Sequence, residues 1–571
     1  MSDDSSAAIV STIRRIAADV QEHGIRIVVG TLGPFKRDPA AAAAVAAPCE
    51  LTRPRRVRHD CVPSIIPVRR APERACDVTV PAPTITTDPA PLTPELLARL
   101  RRICGAEHVL TDRVQLRTYE SDGLLQYRAT PGAVVLPGSA AEVRDVVRAC
   151  ADAGVPWVAR GAGSGLSGGA LPVAEGVLIA VTRMRRVLEV DLPNGRIVVE
   201  PGVTNTEVSA AVGPTHFYPP DPSSQIVCSI GGNVAENSGG AHCFKYGFTT
   251  NYVTGLEIVL SDGEVVTLGG KEVDRPGYDL LGAFVGSEGT LGICTTITLR
   301  VVPVPEAIKT MVAFFDTTSQ AGEAVSEIVS EGVVPGAIEM MDTLTIQASE
   351  QSVHAGFPTD VGAALIVELD GSRHECDARF DDVVGICERS GAIEIRIARD
   401  DAERAAIWKT RKAAFAAMGR VAPNYYVQDG VIPRTKLPEV LARITALAEE
   451  YGMRVGNVFH AGDGNLHPLV CYEGEEEAER AEELSGRILE ACVEAGGSIT
   501  GEHGVGVDKK RHMPSMFAEP DLAAFQHLRC AFDPRGLANP GKVMPTPRLC
   551  GEVPGPYRRH PLERDGVAER F

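Results

Sequence analysis

The stretch Arg160-Gly-Ala-Gly-Ser-Gly-Leu-Ser-Gly-Gly169 carries the strongest information on the fold of this chain. Five of its ten residues are glycine, so its backbone N–H groups are not covered by side chains. A row of uncovered amides binds anions and suits a pyrophosphate. The loop follows a predicted strand at residues 155–158, but no long helix with apolar periodicity follows it, which excludes the Rossmann G-x-G-x-x-G pattern. Taken alone, the loop is also compatible with a structural turn.

Two further glycine-rich segments lie downstream of this loop. Pro220-Asp-Pro-Ser-Ser-Gln225 leads into Ser229-Ile-Gly-Gly-Asn-Val-Ala-Glu-Asn-Ser-Gly-Gly240, and Gly286-Ser-Glu-Gly-Thr-Leu-Gly-Ile293 comes later. The segment between them contains a predicted strand at residues 256–260. Three glycine-rich loops joined by strands are hard to explain as turns alone.

At these residues the sequence resembles the FAD-binding domain of the vanillyl-alcohol oxidase/p-cresol methylhydroxylase superfamily. It is most similar to the glycolate oxidase flavoprotein subunit, D-lactate dehydrogenase and D-2-hydroxyglutarate dehydrogenase branch, from about residue 111 to residue 544. The resemblance implies an α+β fold with a two-subdomain PCMH-type FAD-binding domain, followed by an α+β FAD-linked oxidase C-terminal domain. It also implies the residues that surround FAD, which are Arg160, Gly161, Ala162, Gly163, Ser164, Gly165, Leu166, Ser167, Gly168, Pro220, Asp221, Ser224, Gly231, Gly232, Asn233, Asn237, Gly239, Gly240, Glu288, Gly292, Ile293, Asn539 and Lys542.

The resemblance also bears on how the flavin is attached. Some members of the superfamily attach the flavin covalently through a histidine in the first glycine loop. No histidine lies between Arg160 and Gly169, so we expect non-covalent FAD. His242 and Cys243 lie near the second loop, where either a covalent role or a packing role remains open.

A second constellation is Asn457-Val-Phe-His-Ala-Gly-Asp-Gly-Asn-Leu-His467, followed by Glu502-His503-Gly504. The alternation at His460 and His467 predicts a strand–turn–strand that aims both imidazoles at one point. With Glu502 added, two imidazoles and one carboxylate suit Zn²⁺, Mn²⁺ or Fe²⁺. Spacing alone leaves structural histidines as an equal alternative.

The family resemblance assigns roles to these residues. It implies that His460, His467 and Glu502 bind a divalent metal, zinc or manganese, and that His503 is the base. A divalent cation makes a substrate hydroxyl easier to deprotonate, and a neutral imidazole with a pKa of about 6.5 can accept that proton. The hydrogen on the α-carbon would then pass to the flavin as hydride. The implied reaction is oxidation of a small D-2-hydroxy acid to the 2-oxo acid.

The segment Trp408-Lys-Thr-Arg-Lys412 lies on a predicted helix and is basic. A guanidinium matches the two oxygens of a carboxylate, and the resemblance assigns substrate-carboxylate binding to Arg411. Relatives that act on 2-hydroxyglutarate have polar groups where this chain has Phe415 and Val427, which favours glycolate or D-lactate. D-2-hydroxyglutarate, another alcohol or an ether-lipid substrate on the same fold are the alternatives.

Composition limits the partners. The net charge of −18 argues against a nucleic-acid partner. The 14 cysteines form no C-x-x-C pair, which argues against an iron–sulfur cluster in this chain. The electrons of the reduced flavin therefore need a separate acceptor, such as an iron–sulfur subunit, a quinone, a cytochrome or an electron-transfer flavoprotein.

The organisation along the chain follows from composition changes. Residues 1–90 are rich in alanine, arginine and proline and predict a disordered extension. We assign residues 91–304 to the FAD-binding domain, 305–546 to the catalytic domain and 547–571 to a tail. No apolar run of membrane-spanning length and no secretory signal are present, so we expect a cytoplasmic protein, peripheral to the inner membrane only through a partner, with a homodimer as one option.

Overall fold

The computed structural model describes residues 92–272 and 277–545. The predictions for residues 1–90 and 547–571 lie outside them. Within the described residues, the strands form sheets of four, five and nine strands and one two-stranded pair. No helix in this part of the chain is both long enough and apolar enough to cross a membrane.

The first sheet lies next to the first glycine loop. Its elements are α1 (Pro94–Cys104), β1 (Val109–Leu110), α2 (Arg113–Leu116), β2 (Ala133–Val135), α3 (Ala140–Ala153), β3 (Trp157–Arg160) and β4 (Val177–Ala180). The strand order is β1-β2-β4-β3, and β4 pairs in parallel with β2 and β3. The loop therefore begins at the carboxyl end of a parallel strand, a common position for ligand-binding loops.

Helix α3 begins with an N-cap at Ser139. Ser139 caps it by accepting a hydrogen bond from the backbone N–H of Glu142 at 3.3 Å. The Glu142 carboxylate accepts from the N–H of Gly138, one residue before the cap. The two bonds form a capping box whose return bond is shifted by one residue.

The second sheet carries the other two glycine-rich loops. Its elements are β5 (Val187–Asp191), β6 (Arg196–Val199), α4 (Asn205–Val212), β7 (His216–Phe217), α5 (Ile230–Glu236), α6 (Cys243–Tyr246), β8 (Val253–Val259), β9 (Val265–Gly269), α7 (Leu280–Phe284), β10 (Ile293–Arg300) and β11 (Val302–Pro303). The order is β5-β6-β10-β8-β9, while β7 pairs with β11. Gly195 turns the β5–β6 hairpin with a φ of 61°.

The third sheet holds the histidine motif. Its elements are β12 (Ala307–Phe315), α8 (Thr318–Ser330), β13 (Ala337–Asp342), α9 (Thr343–Val353), β14 (Ala363–Gly371), α10 (Arg373–Arg389), β15 (Ala392–Ile397), α11 (Asp401–Ala417), β16 (Asn424–Val427), β17 (Gly430–Val431), α12 (Leu437–Tyr451), β18 (Arg454–His460), β19 (Asn465–Leu466), β20 (Pro468–Tyr472), α13 (Glu475–Glu494), α14 (Met513–Met516) and α15 (Glu519–Phe532). The order is β15-β12-β14-β13-β18-β19-β17, and β20 pairs with β16 and β18.

Helices cover both faces of this sheet. Along β12, Phe315 faces the core shared with α8, α10, α12 and α13, while Phe314 faces the core shared with α9 and α11. Both rings are fully buried, and each such burial stabilises the fold by about 1.5–3 kcal/mol. The sheet is therefore a rigid support for the side chains at its strand ends.

The end of the described chain returns to the first sheet. The N–H of Trp157 in β3 donates to Leu537 O at 2.9 Å, and the N–H of Asn539 donates to Trp157 O at 2.8 Å. This return brings the segment after α15 against the first glycine loop.

Candidate active site

A cavity of about 680 Å³ is lined by residues from all three glycine-rich loops and from the third sheet region. Its volume lies within the range of about 300–1,000 Å³ that is typical of cofactor and ligand sites. Glu502 and His503 contribute to the wall at the third sheet, together with Phe415, Tyr425 and Tyr472. The cavity thus brings the predicted cofactor loops and the predicted base together.

The first glycine loop packs closely against the side chains of Ser229 and Arg160. A Cβ on Gly161 would lie 2.1 Å from Ser229 Oγ, so no larger residue fits there. Gly163 has a φ of 71° and would place a Cβ 2.2 Å from an Arg160 guanidinium nitrogen. Glycine at these positions keeps the loop backbone open to a ligand.

Polar atoms in the cavity wall fit a large polar ligand. Glu236 Oε2, Ser287 Oγ and His503 Nδ1 are buried atoms without a hydrogen-bond partner among the described residues. All three residues line the cavity. Since buried polar groups are normally satisfied, these atoms and the open glycine loop fit FAD, which carries many polar atoms.

The predicted cofactor residues fall into two groups. Those that line the cavity are Arg160, Gly161, Ala162, Gly163, Ser164, Gly165, Leu166, Ser224, Gly231, Gly232, Asn233, Glu288, Gly292 and Ile293. Those that do not line it are Ser167, Gly168, Pro220, Asp221, Asn237, Gly239, Gly240, Asn539 and Lys542.

Two residues of the second group, Asn539 and Lys542, hold the glycine-rich loops in place. Asn539 Nδ2 donates to Gly169 O at 2.8 Å and to Glu288 O at 2.6 Å. Lys542 Nζ donates to Leu171 O at 2.8 Å. Asn539 and Lys542, which we expected beside the flavin, therefore tie the loop backbones together from behind.

Sequence reasoning missed several lining residues. Ser229, Glu236 and Ser238 lie in the quoted segment 229–240, and their polar side chains in a glycine-rich stretch were an available signal. Gln126 and Tyr472 also line the cavity, but no local pattern distinguishes them.

His242 occupies a position that favours the packing alternative. Its Nδ1 lies 2.8 Å from Asp221 Oδ2 and its Nε2 lies 3.2 Å from Glu368 Oε1. Its ring also stacks on Trp408 with centroids 5.5 Å apart. Both nitrogens are engaged, and neither His242 nor Cys243 lines the cavity, so the structure offers no support for covalent attachment there.

The histidine motif forms the predicted strand–turn–strand. β18 ends at His460, which pairs with Asn465 of β19, and His467 follows directly. The Nε2 atoms of His460 and His467 lie 3.2 Å and 3.1 Å from Glu502 Oε1. One ligand atom from each of the three residues falls within 4.8 Å of the other two.

The opposite edges of both imidazoles are hydrogen bonded. His460 Nδ1 lies 2.7 Å from Glu339 Oε1, and His467 Nδ1 lies 3.3 Å from Gln428 O. The Nδ1 atoms are thus occupied by these acceptors, and each Nε2 faces Glu502. Metal-binding histidines typically have such a partner, so the group fits a zinc or manganese ion.

Asp429 organises the loop that carries Glu502 and His503. It accepts the N–H groups of Gly501, Glu502 and His503, and the Thr500 hydroxyl. Lys509 Nζ lies 3.1 Å from Asp429 Oδ2. Asp429, His467 and His503 also meet the distance criterion for a metal group, but the Asp429 oxygens already have these donors.

Replacing Asp429 by asparagine should destabilise the protein by about 3–5 kcal/mol, because Lys509 would become a buried unpaired charge. The asparagine NH₂ group would also face backbone N–H donors and could not accept their hydrogen bonds. Thermal denaturation of the FAD-loaded protein, with the exposed Asp381→Asn as control, measures the effect. Adding Lys509→Met should recover part of the loss, whereas an unchanged midpoint in Asp429→Asn would contradict this role.

The pKa values of His503, His460 and Glu502 are shifted in different directions. Burial lowers the pKa of His503 to about 4, so its imidazole is neutral at physiological pH. Burial opposes charge on His460 as well, but Glu339 and Glu502 raise its pKa well above the usual value. Burial would raise the pKa of Glu502, yet His460 and His467 keep it well below the usual value. Binding a metal at His460 therefore displaces a proton.

Arg411 lies in a different environment from the one expected. Its Nε donates to Glu339 Oε2 at 2.7 Å, and its Nη2 lies 2.6 Å from the same oxygen without a well-directed hydrogen bond. Arg411 is buried and does not line the cavity, whereas the neighbouring Lys412 does. Glu339 thus links Arg411 to His460.

Comparison with known proteins agrees with this architecture. Residues 131–269 match the FAD binding domain family, and residues 304–543 match the family described as FAD linked oxidases, C-terminal domain. The chain is 47% identical to glycolate oxidase subunit GlcD of Escherichia coli (strain K12), covering 82% of this chain and 94% of that protein. The chain belongs to the FAD-linked oxidases. D-lactate dehydrogenase of Anaerostipes hadrus is 30% identical to this FAD-linked oxidase, over 79% of this chain and 98% of that protein.

A solved structure shows the same fold. The structure of p-cresol methylhydroxylase with substrate bound matches this FAD-linked oxidase with a TM-score of 0.66 at 18% identity, over 79% of this chain and 96% of that one. At this identity the match shows the fold alone. The predicted family, the α+β fold with a PCMH-type FAD-binding domain, and the class of FAD-linked oxidoreductase are confirmed.

Proposed function

We propose that this FAD-linked oxidase converts a small D-2-hydroxy acid, glycolate or D-lactate, to the 2-oxo acid. The observation that carries the proposal is the group His460, His467 and Glu502, of which Glu502 lines the cofactor cavity beside His503. The similarity to glycolate oxidase subunit GlcD and to D-lactate dehydrogenase supports the same substrate class. Residues 91–304 would form the FAD-binding domain and residues 305–546 the catalytic domain.

FAD and a divalent metal would supply part of the chemistry, and residues of the protein would supply the rest. Non-covalent FAD, when bound, supplies a two-electron acceptor, and a divalent metal at His460, His467 and Glu502 supplies a Lewis acid. His503 accepts the hydroxyl proton at Nε2, the nitrogen that lies 3.9 Å from Glu502 Oε1. Parallel stacking on His467, with centroids 4.9 Å apart, holds the His503 ring in position.

The walls around the metal group favour a short substrate. Phe415 lies with its ring centroid 5.7 Å from that of His467, and both Phe415 and Val427 line the cavity. These apolar side chains offer no hydrogen bond to a second carboxylate. A two-carbon or three-carbon hydroxy acid therefore fits better than 2-hydroxyglutarate.

Arg411 remains the proposed partner of the substrate carboxylate, a role that requires its Nη2, which has no hydrogen bond, to turn from Glu339 toward the cavity. Arg411→Gln should raise KM by roughly 10–100-fold, since a charge-assisted hydrogen bond contributes about 1.5–3 kcal/mol. Lys412→Gln is the matched control, because Lys412 lines the cavity one residue away and is exposed. Steady-state kinetics on each variant separates the two cations, and a larger KM effect from Lys412→Gln would transfer the role to Lys412.

The electrons would leave to a second protein or a quinone. Neither candidate metal group among the described residues contains a cysteine, and the relative GlcD is named as a subunit. An iron–sulfur subunit, a cytochrome or an electron-transfer flavoprotein would fill this role. We propose that such a partner holds a cytoplasmic chain at the inner membrane.

A substrate panel tests the proposed function. Glycolate, D-lactate, L-lactate and D-2-hydroxyglutarate are each added to the FAD- and metal-loaded enzyme with an artificial electron acceptor, and the 2-oxo acid is quantified. We expect turnover of glycolate or D-lactate and little turnover of the other two acids. Turnover of another alcohol alone would contradict the assignment.

A further inference from the structure

Two carboxyl groups in the cofactor cavity are not used by the proposed mechanism. Glu236 is the last residue of α5, and Glu288 lies in the third glycine-rich loop. A Cβ on Gly504 would lie 2.3 Å from Glu236 Oε2 and 2.9 Å from Glu288 Oε1. A Cβ on Gly169 would lie 2.6 Å from Glu236 Oε1 and 3.2 Å from Glu288 Oε2. The two carboxyl groups are therefore neighbours, held between the first glycine loop and the loop of His503.

Their hydrogen bonds differ. Glu288 accepts the N–H groups of Val505 and Gly506, both at 2.7 Å. Burial raises the pKa of Glu288 to about 7, and these two backbone donors oppose that rise by stabilising the ionised carboxylate. Glu236 Oε2 is buried and has no hydrogen-bond partner among the described residues. Two neighbouring buried carboxyl groups do not both ionise readily, so one proton belongs on the member without donors, which is Glu236.

The surrounding charges point the same way. Glu288, Asp122 and Lys509 are the charged groups that act on Glu236, two acids against one cation. That cation, Lys509, is already paired with Asp429. Burial and the charge of Glu288 raise the pKa of Glu236 well above its usual value. Glu236 also ends a helix, where the backbone dipole disfavours a negative charge.

We propose that Glu236 is a neutral carboxylic acid that donates a hydrogen bond to an acceptor atom of FAD bound in the cavity, while Glu288 stays ionised. Glu236 lines the cavity, so the exposed part of its side chain faces the ligand space. The proposal rests on FAD binding in the proposed function, but it does not depend on the substrate or the metal.

The dissociation constant of FAD, measured on apoprotein without any hydroxy acid, tests the proposal. Glu236→Gln keeps a neutral donor and should leave the affinity at neutral pH nearly unchanged. Glu236→Leu removes the donor and should weaken FAD binding roughly 10-fold or more. The wild-type affinity should fall at alkaline pH as Glu236 ionises, whereas Glu236→Gln should stay flat. Glu107→Gln, an exposed acid outside the cavity, is the control.

Infrared spectroscopy gives a second readout that a misfolded variant cannot imitate. The difference spectrum between the FAD-bound wild type and Glu236→Gln should show the loss of one carbonyl band of a protonated carboxylic acid, and Glu107→Gln should retain that band. The proposal is overturned if that band persists in Glu236→Gln, or if Glu236→Gln weakens FAD binding at neutral pH as much as Glu236→Leu.

The failures of the two proposals are distinguishable. A protein that binds FAD with the expected Glu236 dependence but turns over no 2-hydroxy acid contradicts the proposed function only. If Glu236→Leu keeps FAD affinity and loses affinity for the hydroxy acid, the acid serves the substrate and this inference is wrong. A wild-type chain that binds no FAD overturns both.

Discussion

Replacing His503 by alanine should slow reduction of the bound flavin by roughly 10²–10⁴-fold, the usual range for loss of a general base. His503 is the neutral imidazole that lines the cavity next to Glu502, and its ring is fixed by stacking on His467. Because the three glycine-rich loops supply most of the cavity wall, FAD should remain bound after the loss of His503. Rapid mixing of the anaerobic enzyme with substrate measures the rate of bleaching.

The pH profile of the same reaction distinguishes a base from a structural residue. Burial lowers the pKa of His503 to about 4, and a bound divalent cation would lower it further. The neutral form is therefore present above this pKa and is lost as the pH falls through it. The reduction rate should be flat from about pH 6 upward and should fall as the pH drops toward 4. His374→Ala, on the exposed side of α10, should keep the wild-type rate and profile. Wild-type rates in His503→Ala would remove this residue from the mechanism.

Replacing Glu502 by glutamine should remove the metal and slow flavin reduction by more than about 10²-fold, since a Lewis acid contributes several kcal/mol. Glu502 Oε1 is the atom shared by the two histidine Nε2 atoms. A neutral amide is a poor ligand beside two imidazoles, because the cation loses its only anionic partner in the group. Metal content per FAD and the rate of anaerobic bleaching measure the two consequences.

Two further variants test the same metal site. His467→Ala should lose the metal as well, whereas Glu494→Gln at the end of α13 should keep it. Because His460 must release a proton to bind a cation, the metal affinity of the wild type should fall as the pH falls. Full metal content in both Glu502→Gln and His467→Ala would place the metal at another site.

Local patterns predicted the parts of the fold that depend on short segments. The strand–turn–strand from His460 to His467 follows from a few neighbouring residues. The three glycine-rich loops also signalled a shared ligand site, because glycine is needed where the backbone must be exposed or tightly packed.

Contacts between distant segments were not predictable in the same way. Glu339 reaches His460 across 121 positions of the chain, and Asp429 holds the His503 loop across 74. Nothing in their local sequence marks either acid, since β13 and the residues after β16 read as ordinary strand segments. The orientation of α11 is a similar case, because helical periodicity does not say whether Arg411 or Lys412 faces the cavity.

The central claim is that metal-assisted oxidation of a 2-hydroxy acid reduces FAD in this chain. Anaerobic titration of the FAD-loaded protein with glycolate, followed by the visible flavin absorbance, tests it most directly. We expect bleaching by glycolate or D-lactate, loss of bleaching after removal of the metal by a chelator, and recovery when zinc or manganese is restored. A yellow protein that neither acid bleaches in the presence of metal would contradict metal-assisted oxidation of a 2-hydroxy acid.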